Sequence, residues 1–214
     1  MGDFTVINVV TDYGAYGDGI HDDTAAINNA LAAVPSGGAI VYFPGGQYLV
    51  SSPLVRQTSF TRCIGEGKGA TVILVNPVDP NNFVSPVDST LGCIFDIAST
   101  DLTDCAVMDL TINGKASAMG TGEENEPNNN YCGGIYCTTR EHVERVMFYD
   151  VFGWAIWLNQ SPYTKVIDCD ADLGIGPESG HYGNDCIGGA PLRASIIRFH
   201  WFSTMSKPTA LDVT

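Results

Sequence analysis

The chain has 214 residues, of which 44% are hydrophobic, only 16% are charged and 24 are glycine, a composition that suits one domain with a sizeable core whose strands end in turns. With 24 acidic against 10 basic residues the formal net charge is −14, which argues against a nucleic-acid partner and predicts that an anionic polymer is repelled unless a cation bridges it. The seven cysteines (63, 93, 105, 132, 137, 169 and 186) form no C-x-x-C pair, so a zinc site is not expected; they read as small apolar core residues, and their odd number argues against a full disulfide framework. Met1-Gly-Asp-Phe-Thr has neither the basic region nor the apolar core of a signal peptide. No apolar run approaches the ~18 residues of a membrane span, so no membrane partner is expected. Export by another route such as lysis, or excision from a longer protein, fits these features.

Phe4–Val10 reads as a first strand. Asp12–Asp23 follows with three glycines and four aspartates, a composition for tight turns with positive φ and side chains that bond their own backbone. The second half of Asp12–Val34 is a helix, with Asp22 or Asp23 as the expected cap and Ile27, Ala30, Leu31 and Val34 as one apolar stripe. Pro35 and Gly37-Gly38 end it, and no second convincing helix follows. Asp12-Tyr13-Gly14-Ala15-Tyr16-Gly17-Asp18-Gly19, with Asp22-Asp23-Thr24-Ala25-Ala26-Ile27, resembles the opening motif of the pectate-lyase-like superfamily, which includes polygalacturonases, rhamnogalacturonases and phage tail spikes. That resemblance implies an all-β, right-handed, single-stranded parallel β-helix with an N-terminal capping α-helix. It implies one domain over 1–214, with strand and cap in 1–38, coils in 39–214, and further coils beyond.

Ala39–Val50 is two short strands about Pro44-Gly45-Gly46, again similar to a first coil of that family. Gly65-Glu66-Gly67-Lys68-Gly69 suggests a phosphate loop, but a β-branched strand rather than a helix follows and the spacing misses G-x-x-x-x-G-K-[ST], so it reads as a turn. From residue 93 four segments repeat loosely: Val107–Ile112, Val146–Val151, Val166–Ala171 and Ile196–Trp201, with Met108, Met147, Ile167 and Ile197 expected to start an inward row. The polar loop Gly114–Tyr131 is long enough to wall a binding groove. Ala210–Thr214 ends strand-like without a cap, which suggests a truncated piece or an end packed on another subunit.

Period-2 alternation places Asp168, Asp170 and Asp172 on one outer face, roughly 6–7 Å apart. Stacking the four copies ~4.8 Å apart gives one outward ladder of Thr111, Asp150, Asp170 and His200 and a second of Asp109, Phe148, Asp168 and Arg198. Carboxylates beside an Arg and a His suit either of two reactions. Glycoside hydrolysis needs a carboxylic acid and a carboxylate at a set separation; β-elimination needs carboxylates on a cation such as Ca²⁺, for which Asp168, Asp170 and Asp172 are the candidate ligands, with Arg198 as base. The same residues also read as a solvated acidic face.

Asn184-Asp185-Cys186-Ile187 is similar to the paired-aspartate motif of polygalacturonases, whose aspartates flank the scissile bond. Only Asp185 carries over, because Asn184 cannot act as acid or base; His181, close to it in sequence, is a further catalytic candidate. Trp154 is a candidate sugar platform, with Trp157 expected on the opposite side of its strand. The reading is therefore a polysaccharide-degrading or polysaccharide-binding β-helix, a tail-spike-type depolymerase (hydrolase or lyase) placed on a virion tail or outside the cell and expected, from the resemblance, to be a homotrimer. The rival readings are a non-catalytic glycan-binding adhesin and a secreted pectinase or epimerase, the last of which needs a secretion route and a basic patch for the uronate, neither of which the sequence shows.

Overall fold

The computed structural model describes residues 5–76, 83–87, 92–115, 133–151, 154–158, 162–172, 187–189 and 194–202. Its strands are β1 (Val6–Asn8), β2 (Asp18–Asp22), β3 (Ala39–Tyr42), β4 (Gly46–Val50), β5 (Leu54–Arg56), β6 (Thr61–Ile64), β7 (Thr71–Val75) and β8 (Phe95–Ile97). They continue with β9 (Ala106–Asn113), β10 (Ile135–Tyr136), β11 (His142–Tyr149), β12 (Ile156–Leu158), β13 (Lys165–Asp172), β14 (Ile187–Gly189) and β15 (Ser195–Phe202). One helix, α1 (Thr24–Ala32), occurs among the described residues. A 10-stranded sheet runs β1-β3-β6-β9-β11-β13-β15 with β2, β4 and β7 alongside, and a 5-stranded sheet runs β14-β12-β10-β8-β5. Among the described residues all pairings are parallel, with one register shift between β2 and β4, and the coils stack into a right-handed parallel β-helix.

The core is built of stacked columns. Val41, Cys63, Val107, Val143 and Val166 lie in one register column of the larger sheet and are fully buried. Across the interior they face the column Leu54, Phe95, Ile135, Ile156 and Ile187 of the smaller sheet. Each buried side chain of this kind contributes roughly 1.5–3 kcal/mol. The thiols belong to this interior: Cys63, Cys105, Cys137 and Cys169 are free and buried, and burial pushes Cys63 up to about 12 and Cys105 and Cys169 to about 11. Cys93 departs from the expectation of a plain core residue, because it is disulfide-bonded.

Coils turn at two corners of left-handed backbone. Gly38, Phe60, Asp104, Arg140 and Tyr163 form the first, with φ of 84°, 61°, 58°, 57° and 64°. Asp109, Arg145, Asp168 and Arg198 form the second, with φ of 58°, 52°, 53° and 55°. At the second corner the chain bends without leaving the sheet, so inward residues are spaced by three across it, as in Val107 and Leu110 or Val166 and Cys169. This overturns the expected inward row: Met108, Met147 and Ile167 are only half-buried and Ile197 is exposed. It also resets the register of β11, where Val143, not Val146, pairs with Val107 and Val166. The true ladders are Thr111–Met147–Asp170–His200 and, at the corner, Asp109–Arg145–Asp168–Arg198.

The cap is as expected in place and differs in detail. Ile27, Ala30, Leu31 and Val34 are buried. Asp23 occupies the N-cap position without a side-chain cap bond, while Asp22 Oδ1 accepts from Thr24 N at 2.9 Å. The Asp23 carboxylate accepts instead from Tyr16 N at 2.6 Å and Gly17 N at 3.0 Å, tying the glycine-rich turn to the helix start. Asn28 projects from α1 onto the edge of β5: its Oδ1 accepts from Val55 N at 2.8 Å and its Nδ2 donates to Pro53 O at 2.9 Å. A side-chain amide thus replaces the missing strand on that edge. Further along, Arg56 and Glu141 form a fully buried ion pair, with Arg56 Nη2 also donating to Tyr136 O at 2.5 Å and Glu141 Oε2 accepting from Thr138 Oγ1 at 2.6 Å.

Candidate functional site

The turn 65–70 joins β6 and β7 where later coils have only the second-corner residue, and β9 pairs with both strands. It is a turn, as the missing helix required, but it is pinned to the next coil. Gly67 N donates to Asp109 O at 2.7 Å, Gly69 N to Thr111 Oγ1 at 3.0 Å, and Glu66 N to Thr71 Oγ1 at 2.9 Å. Gly67 and Gly69 have φ of 134° and 82°, conformations that a Cβ would strain. From this turn Lys68 reaches past β11 to β13, where Nζ donates at 2.6 Å both to Asp168 O and to Asp170 Oδ2. The other oxygen of Asp170 meets His200 Nδ1 at 3.2 Å. Beside them Arg198 holds Asp168 in a two-pronged pair, Nη2 to Oδ2 at 2.8 Å and Nε to Oδ1.

The two carboxylates have different prospects. Hydrogen bonds from Arg198 hold the Asp168 carboxyl below the usual carboxylate range and raise Arg198 in return. Asp168 is therefore not suited to act as a proton donor, and Arg198, kept protonated, is not suited to the role of base expected for it. Asp170 has no such two-pronged clamp. When ionised it can only accept, so Nδ1 is the donor to it, and in the neutral ring Nε2 then carries the lone pair, on a side chain 72% exposed. A carboxylate fixing one imidazole tautomer so that the opposite nitrogen can take a proton is the logic of acid–base triads.

Asp168, Asp170, Arg198 and His200 thus come together as expected, whereas Asp150 does not join them. It follows β11 at φ 49°, is buried, and its N–H donates to Asp172 O at 2.7 Å. Asp172 is buried, not outward, and the row Asp168, Asp170 and Asp172 is split by the corner; among the described residues no group of three or more His, Cys, Asp or Glu is arranged to hold a metal ion. Trp154 sits by the smaller sheet, away from this cluster's strands. It lies before β12 begins, so alternation does not reach it, and its ring meets that of Trp157 at 4.2 Å instead of pointing the other way. Both indoles pack against the buried cluster of Cys93, Ile97, Leu102, Cys105 and Tyr136, and a Cβ at Gly188 would strike Trp154 Nε1 at 2.4 Å. His181 and Asp185 lie outside the described residues. Sequence reasoning missed Lys68, whose turn it had dismissed, and Arg145, which pairs with Asp109. The repeat of apolar-x-x-apolar in Val143-Glu144-Arg145-Val146 and Val166-Ile167-Asp168-Cys169 was the signal for the latter.

Two parallel sheets wound in stacked coils behind a helical cap define a pectate-lyase-like β-helix. The family profile described as "Rhamnogalacturonase A/epimerase, pectate lyase-like" matches residues 6–116, and the chain belongs to that family. Mannuronan C5-epimerase AlgE1 of Azotobacter vinelandii is 36% identical over 112 residues, 49% of this chain and 8% of the epimerase. Among solved structures, ORF18 of Geobacillus virus E2 superposes with a TM-score of 0.63 at 20% identity over 92% of this chain and 36% of that one. The Family 28 exopolygalacturonase of Yersinia enterocolitica superposes with a TM-score of 0.59 at 15% identity over 94% and 49%. The matched stretch is 10%, 5% and 8% of three of the curated relatives, a small part of each.

Proposed function

We propose that this chain is a polysaccharide-active β-helix module in which His200, oriented by Asp170, moves a proton on the sugar. The observation that carries the reading is the Asp170 carboxylate held between Lys68 Nζ and His200 Nδ1 on the outer face of the larger sheet. Of the two reactions that the residues suit, proton abstraction is served better than two-carboxylate hydrolysis, because Arg198 already occupies Asp168. In β-elimination the base takes the proton on the carbon next to a uronate carboxyl, the electron pair forms a double bond, and the glycosidic oxygen leaves. Lys68, Arg145 and Arg198 on this face are each paired with carboxylates, Asp170, Asp109 with Glu144, and Asp168, so the approach of an anionic sugar to this acidic chain calls for a bridging cation. The sequence similarity to a mannuronan epimerase agrees with uronate chemistry.

The setting we propose is a depolymerase of the tail-spike type, on a virion or outside the cell, as a homotrimer. The disulfide at Cys93 fits an oxidising compartment, and the virus protein shares the fold. The test is release of reducing ends, and of unsaturated product by its absorbance, from a panel of capsular and plant polysaccharides, with Ca²⁺ and with chelator. Unsaturated product from the wild type, lost in His200→Gln and Asp170→Asn, is expected. Product formation undiminished in both variants overturns this site, and glycan binding without turnover on any substrate leaves a non-catalytic coil.

A further inference from the structure

We infer that Lys68 is a positioning residue, acting across two coils through Asp170 to keep His200 in the tautomer with its proton on Nδ1. The inference rests on the reading of Asp170 and His200 given above. Lys68 is not a surface cation that happens to fall near a carboxylate. Its backbone is set by the bonds from Gly67 to Asp109 O and from Gly69 to Thr111 Oγ1, so the turn aims the side chain along the sheet. Its ammonium then bridges the main-chain oxygen of Asp168 and the side-chain Oδ2 of Asp170, at 2.6 Å each. Two acceptors on one strand fix Nζ, and Nζ fixes the carboxylate plane.

That plane decides what His200 can do. A carboxylate turns readily about its last torsion, which has broad, two-fold preferences. With Oδ2 anchored by Lys68, Oδ1 is left to accept from Nδ1. Without the anchor the carboxylate rotates or turns to solvent, and the imidazole can carry its proton on Nε2, which presents the lone pair to the protein instead of to a ligand. The neighbouring charges do not replace Lys68. Arg198 on β15 is committed to Asp168, Arg145 on β11 to Asp109 and Glu144, and Asp172 on β13 is buried.

The test is ring ¹⁵N spectra of the full chain labelled at histidine, with His200→Gln to assign the signals and the ring neutral. The wild type should show a protonated Nδ1 and an unprotonated Nε2 at His200. Lys68→Met should move His200 toward a mixture of tautomers and lower glycan turnover by about tenfold, part of the ~10²–10⁴ that an acid–base group supplies; Lys68→Arg should restore both. A wild-type ring signature in Lys68→Met overturns the positioning role whatever the glycan assay reads. A moved signature in a protein that turns over no glycan, the wild type included, supports the positioning role and overturns the enzymatic reading of the site instead.

Discussion

Asp109 and Arg145 meet one coil apart in a two-pronged pair, Oδ1 to Nε at 2.5 Å and Oδ2 to Nη2 at 2.7 Å, although both hold left-handed backbone. Asp104 and Arg140 do the same at the other corner, at 2.8 and 2.6 Å. Left-handed backbone costs a residue with a Cβ about 1–2 kcal/mol, and half-exposed pairs offset about 0.2–1 kcal/mol of it. The corners persist because the stacked columns on both sides of them demand the bend.

Substitution at Asp109 separates these contributions. Asp109→Asn, which tolerates the backbone, should lower stability by about 0.2–1 kcal/mol through loss of the pair. Asp109→Val should lose a further ~1–2 kcal/mol because a β-branched residue resists positive φ. Urea midpoints measure both, and a Val variant as stable as the Asn variant would exclude strain at this corner.

Asn28 closes the edge of the smaller sheet. Asn28→Ala leaves Val55 N–H and Pro53 C=O without these bonds and should cost about 1–3 kcal/mol. It should also make the protein prone to edge-to-edge association. Thermal unfolding followed by light scattering reads both effects; unchanged melting with no added scattering would mean that water replaces the amide without loss.

Arg56 is fully buried, and burial works against its charge. That is the largest single influence, but Glu141 together with the nearby Cys105, Cys63 and Cys137 outweighs it and raises the guanidinium above its usual range. Arg56→Met, which strands a buried carboxylate, should therefore cost about 3–5 kcal/mol, and Arg56→Met with Glu141→Gln should cost less than the single change. A denaturation cycle over the four proteins decides it: additive losses would show that the pair acts as two independent groups.

The cap motif should show in the acid limb of stability. Backbone N–H groups of His21 and then Ile20 draw the Asp18 carboxyl from 3.8 down to about 2. A folded value below the unfolded one gives stability that is present above 3.8 and lost as pH falls toward about 2. Melting temperature against pH should therefore fall less steeply in that window for Asp18→Asn than for the wild type. Parallel curves would mean that these bonds persist, or are absent, in both states.

The amino-acid sequence alone determined the cap and the kind of coil. The glycine–aspartate turn, the stripe Ile27–Ala30–Leu31–Val34 and the β-branched repeats are local patterns, and local patterns survive folding because they follow from backbone geometry and burial on one face. It also brought Asp168, Asp170, Arg198 and His200 together, since Val166 and Ile196 happened to be aligned in true register. Alternation failed at the corners, where Asp and Arg take a conformation that composition assigns to glycine, so Asp150 and Phe148 were placed in ladders that belong to Met147 and Arg145. Only the tertiary structure could decide that Arg198 clamps Asp168, or that Lys68 reaches Asp170 from 102 residues away. Those contacts depend on which coils stack, and stacking is fixed by the buried columns of the whole β-helix, not by the residues that it brings together.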